Sequence, residues 1–299
     1  MNTFVSFLAL TCVANAAVLP RDSLKIVIGN DDGWATANIR TFYNTLKGAG
    51  YNPLISAPAS NKSGSSGIEF PPIPLITAGE FNTIPAGAPA TGADPKDKNI
   101  YYVNSFPATA MKYGIEEFAP KVFGGKPDFA VTGVNVGDNL GLKTQFSGTV
   151  GAAAKAISYG IPAIAFSGVG GTQHVYTEAD PVADVYAQVA TKLVNAVIQS
   201  GAPYLPAGVG LNVNIPDAKD CPNASDYKFV LSRINTDINP LTDDVNQCST
   251  NHLPTESAVI DAGGCRVPVS VFKGTTKLDV DKDTQKQVRD RLAGLLTCL

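Results

Sequence analysis

The sequence predicts an α/β protein built on a mostly parallel sheet, followed by a smaller β-rich C-terminal region. Three observations lead there. A β-branched run at residues 24–29 (LKIVIG) ends in the turn signal Asn30-Asp31-Asp32-Gly33 and gives way to a helical pattern. The same order of strand, turn, helix and strand then recurs down the chain, as parallel α/β sheets require. After about Gly201 the texture changes to strands with little helix between them.

The elements follow in order. Thr36 is placed to cap the first helix, whose Ile39, Phe42, Tyr43 and Leu46 share one face before Gly48 and Gly50 end it. Residues 52–57 read as the next strand, 101–103 as a strand, 108–118 as a helix and 128–132 as a strand. Then come a helix at 148–159, a strand at 162–166 and the longest helix at 180–199. Past Gly201, strands are predicted at 209–214, 227–233 and 267–272, with a polar stretch at 237–255. A closing helix is predicted at 283–296, with Val288, Leu292, Leu295 and Leu296 on one face. The expected organisation is a core over 24–200 and a C-terminal part of the same domain over 201–299, with no internal repeat.

Composition narrows the partners and the compartment. The 299-residue chain is 44% apolar, enough for a proper core, while only 16% is charged and the net charge is −3. No basic field exists to hold a nucleic-acid polymer. Residues 4–13 (FVSFLALTCV) form an apolar run followed by Ala14-Asn15-Ala16, a small-x-small cleavage pattern, although no Lys or Arg precedes the run. A signal peptide over 1–16, a short leader over 17–23 and secretion are expected. The run is shorter than the ~20 residues that span a bilayer, so no membrane anchor is expected.

Cysteine usage agrees with export. Cys12 would leave with the signal, and Cys221, Cys248, Cys265 and Cys298 remain as an even set for two disulfides, with three pairings open. Their spacing and the presence of only two histidines, His174 and His252, do not suggest a Cys/His metal centre. Asn61-Lys62-Ser63 and Asn223-Ala224-Ser225 are glycosylation sequons. Asn223 is the expected glycan site, because a glycan on Asn61 would crowd the neighbouring loop.

Ligands of an open parallel sheet gather outside the carboxyl ends of its strands. That rim receives residues 30–33, 60–67 and 133–147, and the Gly-, Pro-, Ala- and Thr-rich stretch at 64–99 reads as a long excursion over it. Asp31 and Asp32 offer two anionic oxygen donors for a hard cation such as Mg²⁺ or Mn²⁺. Their purely local reading is a turn that caps the next helix. The loop around Ser63 supplies hydroxyls, and by itself reads as solvated surface. Residues 133–141 bring three glycines with the amides of Asn135 and Asn139, and Ser147, Gly148 and Thr149 open a helix whose free N–H groups favour an anion. Ordinary capping is the local alternative. Together the segments match the needs of a metal-assisted phosphoester hydrolase.

The motifs Asn30-Asp31-Asp32-Gly33, Ala57-Pro58 with Ser63-Gly64, residues 133–141, Ser147-Gly148-Thr149-Val150 and residues 211–216 (LNVNIP) stand in the order and spacing of the SurE family. The chain resembles a secreted fungal-type member over about residues 24–272. The resemblance implies a Rossmann-like three-layer sandwich and one divalent metal ion held by Asp31, Asp32, Ser63 and Asn135, with Asp31 and Asp32 catalytic. It further implies a phosphate site at Asn139, Ser147, Gly148 and Thr149, and nucleoside 5′- or 3′-monophosphates as substrates. An aspartate or an activated water delivers the attack, and the residues do not choose between them. A homodimer through the C-terminal region is also implied, against which the added cysteines and short tail count. The family's usual Gly-Thr-Pro appears here as Asn104-Ser105-Phe106-Pro107, and its late Thr-Asp as Thr255-Glu256.

Two rival readings differ in class. A Ser/His/Asp esterase would need a Gly-x-Ser-x-Gly elbow, which the sequence lacks. A non-catalytic nucleotide- or phosphate-binding protein would not need a full set of metal donors. Trp34, just after the acidic pair, reads either as a packing residue or as a stacking platform for a base.

Overall fold

The computed structural model describes residues 24–236 and 243–299. The expected signal and leader, Cys12 and residues 237–242 of the polar stretch lie outside the described residues. The first elements are β1 (Lys25–Gly29), α1 (Ala37–Gly48), β2 (Asn52–Pro58), β3 (Thr91–Ala93) and β4 (Ile100–Val103). Next come α2 (Pro107–Tyr113), α3 (Ala119–Phe123), β5 (Phe129–Val136), α4 (Lys143–Phe146), α5 (Gly148–Ser158), β6 (Ala163–Gly168) and α6 (Pro181–Gln199). The last are β7 (Val209–Ile215), β8 (Lys228–Ser232), α7 (Glu256–Asp261), β9 (Arg266–Lys273), α8 (Lys282–Arg291) and β10 (Leu296–Thr297).

The strands make one sheet in the order β10-β8-β9-β7-β6-β5-β1-β2-β4-β3. β7, β6, β5, β1, β2 and β4 are mutually parallel. β3 opposes β4 at one end, and at the other β9 opposes β7 while β8 and β10 run parallel to β9. The region after residue 201 therefore extends the central sheet and folds no core of its own.

Strand alternation decides which helix each residue meets. Ile26, Ile28, Ile55, Phe129, Val131, Ile164, Phe166, Leu211 and Val213 share a cluster with Ile39, Phe42 and Leu46 of α1 and Val189, Leu193 and Val197 of α6. Val27, Leu54, Ala130, Ala163 and Ala165 face the other way, into a cluster with Met111 of α2 and Val150, Ala153 and Ile157 of α5. Helices thus cover both faces, and the strands read as continuous apolar runs for that reason. Burying each large aliphatic side chain stabilises the fold by about 1.5–3 kcal/mol.

Several boundaries differ from the sequence expectation, each for a local reason. Thr36 stands at the N-cap of α1, but its hydroxyl turns back to donate to the Gly33 carbonyl (3.1 Å). The cap is tertiary: the Ala37 N–H donates to the His174 carbonyl at 2.8 Å, from the loop after β6. The helix expected at 108–118 runs on through a π-helical stretch at Gly114–Phe118 into α3, where Pro120 is tolerated in the first turn, and stops at Gly124 in the left-handed region. The closing helix ends at Arg291, not at residue 296. Gly294 weakens its continuation, and Leu296 and Thr297 pair with Phe229 and Val230, covering the edge of β8.

Two disulfides form, as expected, with the pairing Cys221–Cys265 and Cys248–Cys298. The first joins the approach to β8 to the residue before β9. The second ties the chain end to the loop that follows residue 242.

Candidate active site

The carboxyl ends of β1, β2, β5, β6 and β7 open on one rim. β1 lies between β5 and β2, so the chain's crossover from β4 to β5 leaves a switch point beside the end of β1, where α/β sheets bind ligands. Asp31 and Asp32 stand there, 3% and 1% exposed. Asn30 makes their turn: its side chain donates to the Gly33 carbonyl (2.9 Å) and accepts the Gly33 N–H (3.3 Å).

Asp31 points into the start of α5. The Thr149 hydroxyl donates to its Oδ1 (2.6 Å), the Thr149 N–H to its Oδ2 (3.2 Å), and the Gly148 N–H also faces it. The Ser147 hydroxyl accepts the Val150 N–H at 3.1 Å as the helix cap. Residues 147–149, expected to line a phosphate site, have protein partners here. The helix start and the Thr149 hydroxyl hold the carboxylate of Asp31, and Ser147 caps the helix. A macrodipole and free N–H groups suit a carboxylate as well as a phosphate.

Asp32 accepts the Val136 N–H (2.9 Å) on Oδ2 and the Gln173 amide (2.6 Å) on Oδ1. Asn135, 7% exposed, lies where the β5–β6 register shifts between Thr132 and Asn135, an irregularity that re-aims side chains at a sheet rim. Its Oδ1 accepts from the Thr149 hydroxyl (3.2 Å) and its amide donates to the Gly137 carbonyl (2.6 Å). Asp31, Thr149 and Asn135 are therefore one connected group. Asn139 is held from three sides. Its N–H donates to Asn214 Oδ1 (2.8 Å), its amide to Ser167 Oγ (2.8 Å), and its carbonyl accepts from Asn212 (2.9 Å).

The loop after β2 lies directly on α5. A Cβ on Gly148 would stand 2.8 Å from both the Ser65 hydroxyl and Asp31 Cβ, and one on Gly151 would stand 1.9 Å from the Ser66 carbonyl. Only glycine permits that approach. Ser63, the expected ligand, is exposed, and its N–H is engaged by Asn61 Oδ1 (2.8 Å). The hydroxyl of this loop buried beside Asp31 is that of Ser65, 5% exposed and without a partner. Both sequon asparagines, Asn61 and Asn223, are exposed.

Burial dominates the electrostatics. It pushes the Asp31 carboxyl above the ordinary carboxylate range despite the Thr149 and Gly148 hydrogen bonds. Asp32 is pushed up to about 7, first by burial and then by the negative charge of Asp31. Glu80 adds a third carboxyl: a Cβ on Gly33 would lie 2.5 Å from its buried, unpartnered Oε2. No ion pair among the described residues brings a Lys or Arg to Asp31 or Asp32.

The donor set fits a hard divalent cation. Two buried carboxylates lack a protein counter-charge, and the Asn135 amide oxygen and an unpartnered hydroxyl stand beside them. No group of three His, Cys, Asp or Glu side chains converges among the described residues, so amide and hydroxyl oxygens would have to complete the coordination.

Trp34 is no stacking platform. It is 4% exposed, packs edge-on to Tyr102 with ring centroids 5.3 Å apart, and donates from Nε1 to the Thr83 hydroxyl (3.1 Å). His174 is partly exposed and bonded to Thr172, while its neighbour Gln173 reaches Asp32. Gln173, Glu80 and Ser167 are not expected from the sequence, and Ser65 only as one hydroxyl of the loop around Ser63. Gln173 and Ser65 lie in aperiodic loops without a distinguishing signal. Asn212 and Asn214 carry one, being polar residues two apart in an otherwise apolar strand, so their side chains share a face.

Comparison with known proteins agrees with this geometry. Residues 26–237 match the family described as Survival protein SurE. The chain is 34% identical to an acid phosphatase of Yarrowia lipolytica, covering 85% of this chain and 81% of that one. It is 31% identical to the 5′-nucleotidase SurE of Lawsonia intracellularis, covering 64% of this chain and 66% of the other. The fold superposes on the crystal structure of the SurE protein from Aquifex aeolicus with a TM-score of 0.61 at 21% identity, over 89% of this chain and 98% of that chain. With an acidic pair at the switch point, an asparagine-rich loop beside it and these relatives over most of its length, the chain belongs to the SurE family.

Proposed function

We propose that the chain is a secreted, divalent-metal-dependent phosphatase of small phosphate monoesters, with nucleoside 5′- and 3′-monophosphates as its substrate class. Family membership makes it a hydrolase of phosphate monoesters. The observation that carries the metal dependence is the pair of buried carboxylates without a basic partner. Bound there, Mg²⁺ or Mn²⁺ would supply positive charge to offset that of the phosphate. Asp31, Asp32 and Asn135 would hold the cation, with a hydroxyl from the loop after β2.

The chain's own residues do the positioning. The α5 start and Thr149 fix Asp31, and Val136 and Gln173 fix Asp32, so neither carboxylate reorganises when substrate arrives. One amide hydrogen of Asn139 goes to Ser167, which leaves the other to donate to the phosphate. Secretion is supported by the N-terminal apolar run and by the two disulfides.

Phosphate release from p-nitrophenyl phosphate and from nucleoside monophosphates, before and after EDTA and on return of Mg²⁺ or Mn²⁺, tests the reading. Activity indifferent to exhaustive chelation would sink the metal dependence. Absence of turnover on every ester, with phosphate still bound, would leave a binding protein.

A further inference from the structure

The loop at residues 137–141 carries the phosphate-site asparagine, and what holds it lies outside the acidic pair. Glu256 opens α7 with no exposed surface. Its Oε1 accepts the Asn212 amide at 2.7 Å, and its Oε2 accepts the Gly141 N–H at 3.3 Å. The same Asn212 amide donates to the Asn139 carbonyl at 2.9 Å. Ser270, 0% exposed and paired with Ser232 at 2.8 Å, completes the surroundings of the carboxyl. Thus one buried side chain grips the loop at Gly141 directly and at Asn139 through a single intermediate.

We propose that Glu256 is a positioning residue: through Asn212 and the Gly141 N–H it fixes the Asn139 loop in the geometry that binds the phosphate of the substrate. This rests on the phosphatase reading above and adds to it the residue that sets phosphate affinity. In this setting burial favours the neutral form of the carboxyl, whose oxygens still accept from Asn212 and Gly141.

The charged groups around it favour that form. Asp279 adds negative charge near Glu256 and is engaged by the Ile234 and Asn235 N–H groups. The Arg233 guanidinium pairs with Asp244 at 2.9 Å, and Asp138 pairs with Lys143 at 2.8 Å. Arg266 bonds the carbonyls of Ala262 and Gly263 at the far end of α7, while Asp261 and Lys273 lie at the ends of α7 and β9. Burial, far outweighing the hydrogen bonds, pushes Glu256 up to about 8 from its ordinary 4.5. Between those values the folded state keeps a proton that the unfolded state has lost, so this group's contribution to stability falls as pH rises.

The test compares Glu256→Gln with Glu256→Ala by three readouts: KM and kcat for a phosphate ester, the inhibition constant of inorganic phosphate, and amide exchange of residues 137–141. Glutamine has one acceptor oxygen, which can take the Asn212 amide, while its NH2 cannot accept the Gly141 N–H. It should raise KM and the inhibition constant by about two- to threefold, whereas alanine, which loses both contacts, should raise them roughly tenfold with a smaller change in kcat. Amide exchange of residues 137–141 should be faster in Glu256→Gln than in wild type and fastest in Glu256→Ala. Equal damage from both variants, or loop protection in Glu256→Ala equal to that of wild type, overturns the inference. Amide exchange reads the loop without turnover, so a chain lacking phosphatase activity still decides this point and fails only the earlier reading.

Discussion

Among the described residues, buried aspartates occur in two settings, and the contrast separates chemistry from architecture. Away from the rim each has a cation. Asp94 takes Arg40 at 2.8 Å, and Arg40 lies between the rings of Trp34 and Tyr176. In the C-terminal region Asp244 takes Arg233 at 2.9 Å, the Leu253 N–H and the Gln285 amide, tying the loop after residue 242 to α8. At the rim Asp31 and Asp32 are buried as deeply beside one another, with hydrogen-bond donors but no basic partner. A fold selected for stability alone would not leave like charges in that state. The comparison teaches that two adjacent aspartates without a counter-charge mark the site more sharply than acidic residues alone.

The largest effect expected from this contrast is on turnover. Loss of a residue that only supports a metal ligand costs about 10–100-fold, so Asp31→Ala or Asp32→Asn should lose more than that in kcat/KM. Asp32→Asn is the sharper variant. A flip of the Gln173 amide lets the new side chain satisfy both Val136 and Gln173, so shape is kept and charge removed. In EDTA it should melt no lower than wild type, because a repulsion has been relieved. Near-normal activity in a folded Asp32→Asn protein would break the comparison.

The reverse pattern is expected at the flank. Asp94→Ala leaves the Arg40 guanidinium buried without its carboxylate and should cost about 3–5 kcal/mol in denaturant unfolding. At temperatures where it remains folded, its metal requirement should match wild type. Smaller still is the disulfide between Cys221 and Cys265, which closes a separation of 44 residues in the C-terminal region. Its removal by a double Cys→Ala change should cost about 2–4 kcal/mol while sparing the rim. Last, Mg²⁺ or Mn²⁺ at about a hundred times its dissociation constant should stabilise wild type by roughly 2.7 kcal/mol, and Asp32→Asn by far less. Equal stabilisation of both proteins would place the cation elsewhere.

The order of these effects follows what each residue touches, and the sequence displays that only in part. The strands were legible because burial on both faces demands continuous apolar runs, as at residues 24–29, and α1 because Ile39, Phe42 and Leu46 recur at helical spacing. The acidic pair was legible because it directly follows such a strand, and in a parallel sheet that position is the rim. The signals for Asn135 and Asn139 were glycines and amides packed into one short segment.

Tertiary structure decided the rest, because the partners are far apart along the chain. Thr149 meets Asp31 across 118 residues and Gln173 meets Asp32 across 141. Neither contact leaves a local pattern, since both arise from segments that the sheet order brings together at its rim. The same holds for the cap of α1, supplied by His174, and for the disulfide pairing, which required the paths of β8, β9 and β10. The sequence by itself determined the periodic elements and the residue types delivered to the rim, since periodicity and turn chemistry act over a few neighbours. Which hydroxyl is buried beside the carboxylates, what the α5 start holds and which carboxyl lacks a counter-charge were decided only by packing, since desolvation depends on everything that surrounds a group.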